Sequence, residues 1–201
     1  MKTNTIGIIG AGAIGQAFAR QLVKANLNVI LSNSRGPDSL ATVVEMLGNR
    51  ARAGTVQQAA EAEIVFISTN WNSTESALRG LDFEGRILID ATNPVLLPGF
   101  TLAELGGKNS SQLVTKWARG ARVVKAFNTI LANVLAQDPV QSGGRRVVFI
   151  SGDHTDAKSE VEQLVAHIGF ATIGLGSLET GGYLQQFPGG PLPAVNLLKL
   201  P

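Results

Sequence analysis

The 201-residue chain contains no cysteine. That absence excludes a disulfide framework, a thiolate metal site and a cysteine nucleophile. Nor is there a large excess of one charge: 17 Lys and Arg face 15 Asp and Glu, leaving a formal net charge of +2 with the basic residues scattered. Such a balance gives no reason to expect nucleic acid or an anionic membrane as a partner. No apolar run approaches the ~20 residues that span a bilayer. Met1-Lys2-Thr3-Asn4 leads straight into an apolar strand, so no signal peptide is expected and the cytoplasm is the expected location. Internal repeats, low-complexity segments and marked linkers are also missing. The length sits at the upper end of one domain, enough to bury a core without staples.

What the chain does have begins at Thr5-Ile6-Gly7-Ile8-Ile9, an apolar strand running into Gly10-Ala11-Gly12-Ala13-Ile14-Gly15. A strand followed by a G-x-G-x-x-G pattern and a helix opens a dinucleotide-binding unit. Gly10 serves the tight turn, Gly12 the close approach of backbone to a pyrophosphate, and Gly15 the packing of the next helix on the sheet. The pyrophosphate rests on the free amides of the helix N-terminus. Ala13 to Ala25 has helical periodicity and Leu27 to Leu31 reads as a second buried strand.

An NAD site places Asp or Glu at the end of that second strand to bind the ribose hydroxyls. This chain has Asn33, Ser34 and Arg35. A carboxylate would repel a 2′-phosphate, whereas a guanidinium pairs with it and a serine hydroxyl donates to it. NADP(H) is the expected cofactor.

Strand and helix then keep alternating. Helices are expected over Val56 to Ala62, Ser73 to Arg79, Lys108 to Gly120 and Thr155 to Ile168. Strands are expected over Glu63 to Ser68, Arg86 to Asp90, Arg122 to Ala126, Arg146 to Ser151 and Phe170 to Leu175. The pattern implies a doubly wound, mostly parallel sheet of the α/β Rossmann class, with residues 1–178 as the nucleotide-binding domain. Ligands lie at the carboxyl ends of such strands. There the chain places Thr69-Asn70-Trp71, Asn93-Pro94 and Phe127-Asn128-Thr129. Short amide and hydroxyl side chains can hold a ribose or a carboxamide without obstructing hydride transfer.

Three stretches together, Leu31 to Pro37, Ile89 to Pro94 and Val124 to Thr129, resemble the small NADP-dependent oxidoreductases related to the NADPH:deazaflavin (coenzyme F420) reductases. They also resemble the reductase domain of the six-transmembrane metalloreductases, and the likeness runs from the glycine loop to Leu175. The resemblance implies that Gly10 to Gly15 hold the pyrophosphate and that Ser34 and Arg35 hold the 2′-phosphate. It implies that Thr69 to Trp71 flank the adenine-side ribose and diphosphate. Asn93, Pro94 and the Phe127-Asn128-Thr129 loop would lie near the nicotinamide, where a deazaflavin or flavin acceptor docks. The family often has proline where this chain has Asn70. Trp71 has a second reading, as a large apolar residue covering the sheet edge.

Residues 179–201 read as a C-terminal arm. Gly181 to Pro191 is rich in glycine and proline and is expected to be an ordered loop rather than a packed element. Tyr183 and Phe187 either stack on the acceptor ring or bury against a second subunit. The apolar Leu197, Leu198 and Leu200 favour the latter, and with it a homodimer. Acid–base candidates are scarce. His154 follows a strand, but Asp153 or Thr155 as a helix cap accounts for the same stretch; His167 reads as structural and Asp90 as serving backbone amides. No catalytic side chain is required when two rings are held face to face. The reading is therefore an NADPH-dependent oxidoreductase with a deazaflavin or flavin acceptor. Reduction of a small carbonyl or imine, and NADP(H) sensing without turnover, are the alternatives.

Overall fold

The computed structural model describes residues 4–201. The first strand, β1 (Thr5–Ile9), enters α1 (Ala13–Lys24), and β2 (Asn28–Ser32) follows. A short 3-10 turn, Pro37–Leu40, leads to α2 (Ala41–Leu47), β3 (Ala51–Ala53), α3 (Val56–Ala60), β4 (Ile64–Ile67), α4 (Trp71–Leu78) and β5 (Ile87–Asp90). A small hairpin, β6 (Val95–Leu96) and β7 (Thr101–Leu102), precedes α5 (Ser110–Trp117) and β8 (Arg122–Ala126). The remainder is α6 (Ala132–Leu135), β9 (Val140–Gln141), β10 (Gly144–Gly152), α7 (Thr155–His167), β11 (Ala171–Gly174), α8 (Leu178–Gln185) and β12 (Leu198–Lys199).

The sheet order is β11-β10-β8-β5-β4-β1-β2-β3, with β9 and β12 added along β10. From β3 to β8 every neighbouring pair is parallel. Such strands are apolar on both faces, and β1 and β4 show why. Ile6, Ile8, Ile64 and Phe66 point into one core, while Ile9, Val65 and Ile67 point into the other. The first core also holds a cluster of Phe18, Phe66, Phe127 and Phe170. The doubly wound Rossmann sheet read from the strand–helix alternation is therefore present.

Beyond β8 the direction changes. β10 is antiparallel to β8 and parallel to β11. The reversal is local in origin: Ser142 and Gly143 both have positive φ, 49° and 77°, which turns β9 into β10 as a tight hairpin.

The C-terminal stretch departs from expectation. Leu178 to Gln185 is a helix, not a loop, and Gly181, Gly182 and Gln185 are buried in it. A Cβ on Gly181 would lie 2.5 Å from Ser151 Cβ, and one on Gly182 would lie 2.7 Å from Asn109 Nδ2. These glycines let a helix press onto the sheet and onto α5 rather than breaking it. Capping adds to this: the Ser177 hydroxyl accepts from Thr180 N (3.2 Å), and the Asp153 carboxylate accepts from Leu178 N (2.9 Å). Asp153 thus caps α8, while His154, the backbone N-cap of α7, is exposed. His167 is also exposed, with Nε2 3.0 Å from the Ala25 carbonyl.

Candidate functional site

The glycine loop is built as its residue types require. Gly10 has φ +110°, and a Cβ there would lie 2.7 Å from Ser68 O. Its amide donates to Ser32 O (3.0 Å), and its carbonyl accepts from the Ser68 hydroxyl (3.0 Å), so the loop is tied to β2 and β4. A Cβ on Gly15 would collide with Gly10 O at 2.0 Å, whereas one on Gly12 would meet nothing within 4 Å. No protein atom therefore requires glycine at position 12, and the open space lies beside the first amides of α1, a geometry able to admit a phosphate.

Two cavities lie along this edge of the sheet. The larger, of about 670 Å³, runs from Gly10, Ala11 and Gly12 to Asn33, Ser34, Arg35 and Gly36, and is closed by Ser68, Thr69, Asn70 and Ser73. The turn at its far end is shaped by Asn33, whose Oδ1 accepts from Arg35 N (2.9 Å) and whose Nδ2 donates to the Ser39 hydroxyl (2.9 Å). The Asn33 amide is thereby occupied within the turn itself. Ser34 and Arg35 are exposed, and no ion pair among the described residues engages the Arg35 guanidinium. A second cation, Arg79, stands at the rim and pairs with Glu75 (3.4 Å). Thr55, Gln57 and Ser76 also line this cavity. They come from α3 and α4, whose approach to the nucleotide edge leaves no short-range signal in the chain.

The smaller cavity, of about 290 Å³, lies beyond the glycine loop. Ile14 from α1, Ala91 and Asn93 after β5, and Asn128 to Ala132 after β8 form one part of it; Phe187, Pro193 and Ala194 form the rest. The amides of Asn93 and Asn128 are engaged with each other and with the C-terminal segment. Asn128 Nδ2 donates to Asn93 Oδ1 (2.9 Å) and to Gln185 O (2.7 Å), and Asn93 Nδ2 donates to Asn128 O (2.7 Å). Gln185, fully buried, extends the network: its Nε2 reaches Asn128 Oδ1 (3.2 Å) and Phe149 O (3.0 Å), and its Oε1 accepts from the Ser151 hydroxyl (2.6 Å). The Thr129 hydroxyl, by contrast, makes no hydrogen bond among the described residues.

Not every residue of the expected clusters reaches a cavity. Trp71 starts α4 and turns into the second core, its ring 5.2 Å from that of Trp117. Phe127 has φ 65° and sits in the phenylalanine cluster, 4.8 Å from Phe18, with no exposed surface. Pro94 is buried, and neither Ala13 nor Pro94 lines a cavity. The loops singled out in the sequence do line the two cavities, but the pattern could not tell inward from outward residues within them.

Beneath the Asn93 loop lies a buried ion pair. Lys125 Nζ donates to Asp90 Oδ2 (3.2 Å), Thr92 O (3.1 Å) and Ser110 Oγ (3.2 Å), with both charged side chains fully buried. Asp90 also accepts from Thr92 N (2.9 Å), the Thr92 hydroxyl (2.6 Å) and the Ser111 hydroxyl. Asp90 thus serves one backbone amide, as expected, and in addition neutralises a lysine.

A doubly wound sheet, a glycine loop with open space over Gly12 and a cation at the end of β2 define a dinucleotide-binding oxidoreductase fold of the Rossmann class. The family model described as NADP oxidoreductase, coenzyme F420-dependent, matches residues 5–94. The chain is thus related to the NADP-dependent oxidoreductases, the model covering its N-terminal half up to the loop after β5. It is 42% identical to the hypothetical protein SMa0349 from Sinorhizobium meliloti, whose crystal structure superposes with a TM-score of 0.92 over 99% of this chain and 96% of that one. A crystal structure described as an F420-dependent NADP-reductase from Arthrobacter sp. FB24 shares the fold at 22% identity and a TM-score of 0.70, covering 91% and 89% of the two chains. Metalloreductase STEAP3 of Rattus norvegicus is 28% identical over 192 residues, 94% of this chain and 37% of that protein. The chain spans little more than a third of the length of that relative. No helix among the described residues is long and apolar enough to cross a membrane.

Proposed function

We propose that the protein binds NADPH along the carboxyl edge of its sheet and passes a hydride to a flavin- or deazaflavin-type acceptor in the smaller cavity. One observation carries the reading: both cavities lie along one sheet edge, on either side of the first turn of α1, the larger lined by Ala11 and Gly12 and the smaller by Ile14.

In this reading Arg35 and Ser34 hold the 2′-phosphate, the amides following Gly12 hold the pyrophosphate, and Thr69 and Asn70 flank the adenine-side ribose. The unpaired Arg35 and the open space above Gly12 fit the group. When bound, NADPH supplies a hydride, two electrons and one proton, and leaves as NADP⁺. The chain contributes position rather than proton transfer: Asn93 and Asn128 lock the loops at the nicotinamide end, and Ile14 and Ile130 exclude water. His154 is outside both cavities and has no part in it.

Titration with NADPH and with NADH, followed by NADPH oxidation with riboflavin and with deazaflavin, tests the proposal. Tighter binding of NADPH and turnover with at least one of the two rings are expected. Equal affinity for the two nucleotides would refute the Arg35 assignment, and binding without oxidation would refute the acceptor.

A further inference from the structure

We infer that the acceptor is recognised as a neutral, flat ring, with Phe187 as the residue that selects it, and that any charged tail on the acceptor is left in solvent. This rests on the reading that NADPH fills the larger cavity and reaches the smaller one with its nicotinamide.

The first observation is the character of the walls. No Asp, Glu, Lys, Arg, His or Tyr lines the smaller cavity, whereas the larger presents Arg35 and Arg79. Bringing a phosphate or carboxylate into a space without a cation costs its hydration and returns nothing. The two amides that could have bound a polar substituent, Asn93 and Asn128, are already hydrogen-bonded to each other. Among the polar side chains there, only the Thr129 hydroxyl is left without a protein partner, and one hydroxyl suits one carbonyl or ring nitrogen. At about 290 Å³ the space lies just below the ~300–1,000 Å³ typical of small-molecule sites, so it takes a ring and not a ring with its tail.

The second observation is how the Phe187 wall is held. Phe187 N donates to Asn93 Oδ1 (3.2 Å), directly on the loop after β5. Further on, Ala194 N donates to Thr129 O (2.8 Å), and Leu192 N to Leu184 O (3.2 Å). The segment from Phe187 to Ala194 is thus fastened to both loops that carry the cavity, while the Phe187 side chain itself stays 41% exposed. An aromatic face that is fixed through its backbone and open to the cavity is a stacking platform. This assigns the C-terminal segment to the acceptor side of its own chain.

Riboflavin and FMN carry the same ring and differ by one phosphate, so they separate ring recognition from tail recognition. Quenching of their fluorescence is measured on protein saturated with NADP⁺, where no hydride can pass. Both are expected to bind with dissociation constants within about threefold of each other, the residual difference reflecting only solvent-screened charge. Phe187→Ala is expected to weaken both about tenfold, the loss of one aromatic contact, with NADP⁺ affinity retained within about threefold. A tenfold preference for FMN would overturn the inference, as would unchanged riboflavin binding in Phe187→Ala, or no riboflavin binding by protein that does bind NADP⁺. Failure to bind NADP⁺ overturns the nucleotide reading and this inference with it. The riboflavin and FMN comparison on the unaltered chain stands even if the variant misfolds.

Discussion

Asn93 and Asn128 hydrogen-bond to each other in both directions, Nδ2 of Asn128 to Oδ1 of Asn93 at 2.9 Å and Nδ2 of Asn93 to the carbonyl of Asn128 at 2.7 Å. They close the loops after β5 and β8 on one another and seat α8 through Gln185. Replacing Asn128 with Asp would set a carboxylate oxygen against Asn93 Oδ1 and Gln185 O, which are both acceptors. A loss of roughly 1–3 kcal/mol is expected in urea unfolding, together with faster amide exchange over Phe187 to Ala194. Unchanged exchange in that segment would mean the pair does not hold the arm.

Arg35→Ala is expected to raise the dissociation constant for NADPH by one to two orders of magnitude, since a charge-assisted contact is worth roughly 1.5–3 kcal/mol. NADH binding should change little. Isothermal titration with both nucleotides gives the comparison, and an equal loss for both would place Arg35 on a part they share.

The glycines of the loop make separable predictions. Gly15→Ala forces a Cβ within 2.0 Å of Gly10 O, so thermal unfolding should show a strongly destabilised or insoluble protein. Gly12 has φ −76° and open space around it, so Gly12→Ala should keep the melting temperature while losing NADPH affinity. A Gly12→Ala variant that binds NADPH normally would show that the nucleotide does not approach there.

Lys125→Met leaves the buried Asp90 carboxyl with only the Thr92 amide and the Thr92 and Ser111 hydroxyls as partners. Removing one member of a buried pair costs about 3–5 kcal/mol, to be read from chemical denaturation. A loss below about 1 kcal/mol would show that the Thr92 and Ser111 hydroxyls suffice to hold the carboxylate.

Asp156, in the first turn of α7, has its pKa held below the ordinary 3.8, chiefly by the Ala157 amide, with Arg122 adding an attractive charge. A depressed carboxylate pKa contributes stability that is present above the unfolded value and lost as pH falls through the folded one. Asp156→Asn should therefore be less stable than the parent at neutral pH, and the gap should close on acidification below about pH 4. The group is exposed, so the gap should be small and shrink with salt.

Much was legible in the chain before any coordinates. The apolar strands predicted at Glu63 to Ser68, Arg86 to Asp90 and Arg122 to Ala126 appear as β4, β5 and β8 within a residue at each end, because a strand buried on both faces must be apolar throughout. The place of Asn33 to Arg35 at the cavity edge could be read because it follows directly from the end of β2. Less was legible where a short motif carries two faces. Phe127 and Asn128 are adjacent, yet one fills the core and the other the hydrogen-bond network. Gly181 and Gly182 looked like helix breakers but instead permit close packing, which depends on Ser151 and Asn109, distant in the chain.

The sequence by itself determined the sheet, the glycine loop and the cation that follows β2, since each depends on local periodicity or on one residue type at one spacing. Only the tertiary structure decided that Trp71 and Phe127 face inward and that Lys125 neutralises Asp90. It alone decided that Gln185 and Phe187 return to the loops after β5 and β8. These are contacts across tens of residues; burial of apolar rings selects those of Trp71 and Phe127, and the cost of leaving a buried amide or charge unpaired selects the others, neither of which a local pattern records.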